Sequence, residues 1–320
     1  MTQTRLLAMT FVAFFLCLAS ARAELKFQPN YSADAALSLP AVRDISLDLL
    51  WSVWTDLDQS TRGQTGLALS GGGARGMAHV GVLRHLSEIG FPIESIAGTS
   101  IGALVGGLYA GGIGVSEIES MGREVGFKRF ARFGKTRMLS IALRDGLTSN
   151  EPYEQWLRSR LGEKTFSETR IPFVASAVDL ISGELIFLRS GELAPALRAA
   201  ATIPGVFAAV PLRQYFLVDG GIVFNIPTRA ARHQGAHNLL LVDVSSRGQS
   251  EVFTRAPSAL RALYRSIEIQ GDYNEMRNYE PGDYNLRILT KGFQIFELWR
   301  YQELWEIGLQ TARGQSFKCA

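Results

Sequence analysis

Several things are scarce in this chain of 320 residues, and each scarcity narrows the field. Net charge is small, 33 basic against 30 acidic residues for +3 overall, which excludes a nucleic-acid binder that relies on a strongly basic surface. There are only two cysteines, Cys17 and Cys319, and only four histidines. Internal repeats and low-complexity runs are absent, so the 32 glycines are read one at a time. The apolar run near the start, Leu6 to Leu18, is shorter than the roughly 20 residues that span a bilayer as a helix. What is present is ordinary for a globular protein: 47% hydrophobic and 20% charged residues. Disorder is excluded as the main state, and a chain of this length can bury a core without metal or disulfide staples.

The first residues read as an address. Arg5, the short apolar run and Ala21-Arg22-Ala23 follow the order of a secretory signal peptide. The expectation is an exported protein, periplasmic or secreted, cut after Ala23. Cleavage removes Arg5, Arg22 and Cys17, leaving 31 basic and 30 acidic residues, a balance of 31 − 30 = +1, and Cys319 as a lone thiol. Residues 24–64 form an extension in which Ile45 to Trp54 is apolar and of ambiguous helix-or-strand identity. A catalytic core is expected over 65–245, with 246–320 packing on the same domain.

From Gly66 the pattern sharpens. Leu67-Ala68-Leu69 reads as a strand entering Gly71-Gly72-Gly73, and Ala74 to Ile89 carries Met77, Val80, Leu83 and Leu86 near helical spacing, closed by Gly90. Ser95-Ile96-Ala97 is a second strand and Ile101 to Tyr109 a second helix. Further strands are expected over 173–178, 184–188, 215–218, 239–244 and 286–289. Strand and helix in alternation predict an α/β fold with a mostly parallel sheet covered on both faces.

Three constellations carry chemistry. Gly98-Thr99-Ser100-Ile101-Gly102 is G-x-S-x-G set between an apolar strand and an apolar helix, the context of a nucleophile elbow. A capping serine in a glycine-rich turn is the plainer alternative. Gly71-Gly72-Gly73-Ala74-Arg75-Gly76 sits at the preceding strand-to-helix junction, where backbone N–H groups can cradle an oxyanion. Gly71, Gly73 and Gly76 also satisfy G-x-G-x-x-G, but a dinucleotide site needs an acid closing the second strand. Gly98-Thr99-Ser100 stands there instead, which argues against an oxidoreductase. No lysine follows the glycines, so a phosphate-binding P-loop is excluded. Asp219-Gly220-Gly221 ends the apolar run Tyr215 to Val218 and offers a carboxylate at a strand's end; an Asx turn is the commoner alternative for such a sequence. His233 and His237 read as a solvated helix exit and His79 and His85 as members of the first helix, so a Ser-Asp dyad is favoured over a triad.

In that order, Gly71–Gly76, Gly98–Gly102 and Asp219–Gly221 resemble the patatin-like phospholipase family. Ile203-Pro204-Gly205-Val206-Phe207 and the run from Val218 through Asn225 and Pro227 extend the resemblance over roughly Gly66 to Ser245. The resemblance implies a three-layer α/β/α fold and a serine lipid acyl hydrolase of phospholipase A or lysophospholipase type. Ser100 would be the nucleophile, Asp219 the base, and Gly71, Gly72 and Gly73 with Arg75 the oxyanion hole. Gly76, Gly98, Gly102, Gly220 and Gly221 complete the motifs, with no metal or cofactor.

The expected partner is a phospholipid or another acyl lipid. Residues 122–147 mix basic side chains with Phe127, Phe130 and Phe133; they suit either a peripheral contact with an anionic membrane or a solvated helix packed on the core. The aromatic-rich stretch from Phe293 to Leu309 reads first as core packing. A non-catalytic lipid-binding envelope protein on the same scaffold is the alternative function.

Overall fold

The computed structural model of the chain describes residues 63–128, 151–245, 256–257, 259–275, 283–295 and 297–314. The expectations for the signal peptide, most of the extension, the greater part of 122–147 and Cys319 lie outside the described residues.

Among the described residues, eight strands form one sheet: β1 (Thr65–Leu69), β2 (Ser95–Thr99), β3 (Phe173–Asp179), β4 (Leu185–Leu188), β5 (Val210–Leu212), β6 (Tyr215–Asp219), β7 (Asn238–Asp243) and β8 (Tyr284–Arg287). Their order is β5-β6-β3-β2-β1-β7-β8, with β4 also on β3. The ladders joining β3, β2, β1, β7 and β8 are parallel, and those of β4, β5 and β6 antiparallel. The mostly parallel sheet is therefore as expected. The sequence pattern did not reveal β5, a three-residue edge strand too short to display any period.

The central strands β1, β2 and β3 are buried at every residue, as near-continuous apolar runs require. Alternation along β1 sends Leu67 and Leu69 into the larger core and Ala68 into a smaller one. The larger core receives α1 (Met77–Glu88), α2 (Ile101–Ala110), α3 (Val115–Lys128), α4 (Glu151–Leu161), α5 (Leu193–Ala200) and α8 (Tyr301–Gly314). The opposite face is covered, among the described residues, by α6 (Thr228–His233) with Ile226 and Ala236. Three layers result, unequal in thickness.

The first helix departs from its expected start. Gly73–Gly76 is a 3-10 turn and the α-helix begins at Met77, because Ala74 donates its N–H to the Ile295 carbonyl and Arg75 turns back to donate to the Gly72 carbonyl. The remaining α-helix, α7 (Ala259–Glu275), stands at the carboxyl end of the sheet.

Candidate active site

Ladder register alone explains why two distant segments meet. β2 lies along one edge of β3, with Thr99 opposite Ser176. β4 holds the other edge over Ala175–Val178. β6 pairs with β3 over Ala177–Asp179, where β4 already occupies the far edge, so β6 shares the edge used by β2. The two strands run towards each other: β2 stops opposite Ser176 and β6 stops with Asp219 opposite Ala177. Ser100 and Asp219 are the residues at which the two chains leave that edge, head to head.

Both side chains are buried and line one pocket, where the Ser100 hydroxyl stands near enough to the Asp219 carboxylate to act on its pKa. Ser100 holds φ 55° and ψ −125°, a left-handed backbone forced on a residue with a Cβ. Such strain costs on the order of 1–3 kcal/mol and persists only where the surroundings over-determine it. Here they do. A Cβ on Gly98 would lie 2.4 Å from the Ala103 Cα, and one on Gly102 would lie 2.2 Å from the Leu69 carbonyl oxygen. The elbow therefore packs backbone against backbone on both sides of the serine.

Desolvation by burial raises the Asp219 pKa from 3.8 to about 6, against the lowering effect of the nearby Ser100 hydroxyl and of the Gly221 N–H, which donates to Oδ1 at 2.8 Å. Gly220 and Gly221 turn the chain away in a 3-10 turn.

The glycine loop faces the same pocket, but its members differ in what they can offer. Gly71 donates its N–H to the Asn225 carbonyl at 3.0 Å and accepts from the Asn225 side chain at 3.3 Å, so that amide is engaged within the fold. The expected oxyanion role narrows to Gly72 and Gly73, which line the pocket with Ser100 and Asp219. Arg75 also lines it, yet its guanidinium donates to the Gly72 carbonyl at 3.2 Å and pairs with Glu268 on α7. Its charge is thus shared with a carboxylate. Gly76 packs on the Ile101 side chain, joining the loop to the start of α2.

Sequence reasoning missed two contributors. Asn225 had been noted only as part of the family resemblance, and it braces Gly71 from the far side. The wall formed by Tyr264, Ile267, Glu268 and Gly271 on α7 had not been noted at all. Its signal was available as i, i+3, i+4, i+7 spacing along one helix face. A third residue was assigned to the first helix without a task. His79 is wholly buried, and its Nε2 lies 2.8 Å from the Ser70 carbonyl. A carbonyl only accepts, so Nε2 carries the hydrogen; burial lowers the pKa to about 4, which leaves the ring neutral at pH 7. His79 thereby fixes the peptide from which the glycine loop departs. His233 is exposed and tilted on Phe187, while Nδ1 of His237 accepts from the Gln64 N–H beside the start of β1. Both lie at the amino end of the parallel strands, the opposite end from Ser100.

The described residues hold no cluster of His, Cys, Asp and Glu suited to a metal ion. No helix among them is long and apolar enough to cross a membrane.

A family model described as patatin-like phospholipase matches residues 67–232. The chain is 33% identical over 186 residues to Lysophospholipase NTE1 of Cryptococcus neoformans, covering 57% of this chain and 11% of that protein. It is 34% identical over 197 residues to an uncharacterized NTE family protein of Mycobacterium bovis, covering 59% and 51%. The crystal structure of VipD from Legionella pneumophila is similar at a TM-score of 0.45 and 13% identity, over 78% of this chain and 67% of that one. The chain thus spans about half the length, or far less, of these two curated relatives.

Proposed function

The chain belongs to the patatin-like phospholipase family, and from that premise we propose that it is a serine lipid acyl hydrolase acting through a Ser100–Asp219 dyad. The observation that carries the proposal is that those two buried side chains line one pocket together with Gly72 and Gly73. Asp219 takes the hydroxyl proton as Ser100 Oγ attacks the ester carbonyl. A carboxylate of ordinary pKa is a weak base; one raised to about 6 by burial is a better one. The Gly72 and Gly73 N–H groups and the amino end of α2 receive the developing oxyanion, each good donor contributing about 3–4 kcal/mol to the barrier reduction. Collapse expels the alcohol, which takes the proton back from Asp219, and leaves an acyl-enzyme. Water, deprotonated by the same carboxylate, attacks the acyl carbonyl; the fatty acid leaves as the acyl–Oγ bond breaks, and Ser100 Oγ takes the proton back from Asp219.

Similarity to a protein named as a lysophospholipase supports a lipid ester as substrate. The signal-peptide pattern of residues 1–23 supports work outside the cytoplasm.

The test is covalent. A fluorophosphonate probe should label the protein, and the modified peptide should contain Ser100. Ser100→Ala and Asp219→Asn should each reduce turnover of a medium-chain nitrophenyl ester by at least about a thousandfold with unchanged circular dichroism. His233→Ala should remain active. Turnover close to wild type in either dyad variant would overturn the assignment.

A further inference from the structure

The large hydrophobic side chains that the described residues leave exposed gather at one end of the sheet. Leu180 and Ile181, 55% and 67% exposed, form the turn after β3. Phe216, 50% exposed at the start of β6, stands beside them and accepts the Leu180 N–H at 2.9 Å. On α7, the helix that walls the cleft, Leu263, Ile269 and Tyr273 are exposed. Leu289 follows β8, and Trp299 follows Ile295, whose carbonyl accepts the Ala74 N–H from the glycine loop. β3 and β8 belong to the parallel set, so their carboxyl ends lie where Ser100 leaves β2. β6 runs the other way, so its start lies there too. The opposite end, with His233 and His237, carries none of these exposed side chains.

The foremost part of this rim is rigid. The Asp179 carboxylate accepts the Phe216 N–H at 3.0 Å on Oδ1, and the Ser182 N–H at 3.0 Å and hydroxyl at 2.9 Å on Oδ2. That carboxylate ties the β3–β4 turn to β6, so Leu180 and Ile181 are presented in a fixed pose about four residues beyond the level of the dyad. A loop that exposes two branched aliphatic side chains and is pinned in that shape is built to bury them against something.

We propose that the carboxyl-end rim is a lipid-docking face, with Leu180, Ile181 and Phe216 as its inserting tip. The choice of occupant rests on the acyl hydrolase reading of the site. A second protein seated on this rim would stopper the cleft beside Ser100, whereas a lipid surface would deliver acyl chains into it. Arg213 and Glu184, both exposed near the tip, are of opposite sign, so a zwitterionic surface suits it.

The test uses the full chain carrying Ser100→Ala, so that vesicles stay intact, with and without Leu180→Asp and Ile181→Asp. Co-sedimentation with phosphatidylcholine vesicles should weaken about a hundredfold or more in the tip variant, because each of the two aliphatic side chains inserted contributes at least about tenfold. In the chain with Ser100 intact, the same two substitutions should cut hydrolysis of vesicle phosphatidylcholine while leaving turnover of a soluble short-chain nitrophenyl ester unchanged. Undiminished vesicle binding, or an equal loss of soluble turnover, would overturn the proposal. So would sedimentation equilibrium showing a dimer that the substitutions dissociate, since a second copy would then be the occupant. Failure of the hydrolase reading would look different: no soluble ester turnover in the unsubstituted chain, with vesicle binding still measurable.

Discussion

Asp219 is under two opposed demands. Burial makes it basic enough to accept a proton, and the same burial makes its charged form costly to the fold. Its folded pKa of about 6 lies above the reference value of 3.8. The stability associated with this group is therefore fully present below about pH 4 and is lost as pH rises through about 6. Asp219→Asn should be more stable than wild type at pH 8 by roughly 3 kcal/mol, from about two units at 1.36 kcal/mol each. The difference should shrink towards zero by about pH 4. Activity runs the other way, with kcat/KM falling about tenfold per unit below pH 6 and levelling above it. Urea melts of both proteins at the two pH values, with a pH–rate profile for the wild type, check both halves; an Asn variant no more stable at pH 8 than wild type would contradict the burial argument. Both members of the proposed dyad were legible in the sequence as candidates, because each closes an apolar strand and is followed by glycine or flanked by it. That the Gly71 N–H is engaged by Asn225 while Gly72 and Gly73 line the pocket was not legible. Three adjacent glycines look alike until Asn225, 154 residues away, chooses among them.

At the scale of elements, the site is made by two strands that stop, and the scaffold by two helices that touch. α1 and α8 cross with Gly81 against the backbone of Trp305–Leu309, and Gly308 against Ala78. A Cβ on Gly308 would lie 2.0 Å from the Ala78 carbonyl oxygen. Gly308→Ala should destabilise the protein by about 1–3 kcal/mol, even though alanine gains about 1 kcal/mol in helix propensity. Gly314→Ala, at the open end of the same helix with nothing near its Cβ, should be neutral or mildly stabilising. Thermal melts of the pair separate crowding from propensity. Periodicity located α1, α2 and most strands to within a few residues. It left α1 starting too early, because the 3-10 turn at Gly73–Gly76 follows from hydrogen bonds to Ile295 and Gly72 rather than from any repeat of apolar residues.

The whole molecule is larger than its recognisable part. The family match ends at residue 232, yet β8 covers the free edge of β7 and α8 buries Leu304 and Leu309 beside α1. Each such leucine contributes about 1.5–3 kcal/mol when removed from water, so a chain ending at 282 should accumulate as insoluble protein. A soluble truncated chain that still labels at Ser100 would show the C-terminal part to be dispensable. At this scale the division of labour is plain. The amino-acid sequence alone determined the α/β class, the parallel order of alternating strands and helices, and which serine and aspartate stand as candidates, because each rests on local spacing of apolar, glycine and polar residues. Only the tertiary structure decided that Ser100 and Asp219 meet in one pocket, which glycines line it with them, that α7 walls the cleft, and that the exposed hydrophobic side chains of the described residues gather on one rim. Those facts depend on ladder register and on contacts between segments far apart in the chain, and no local pattern of residues encodes them.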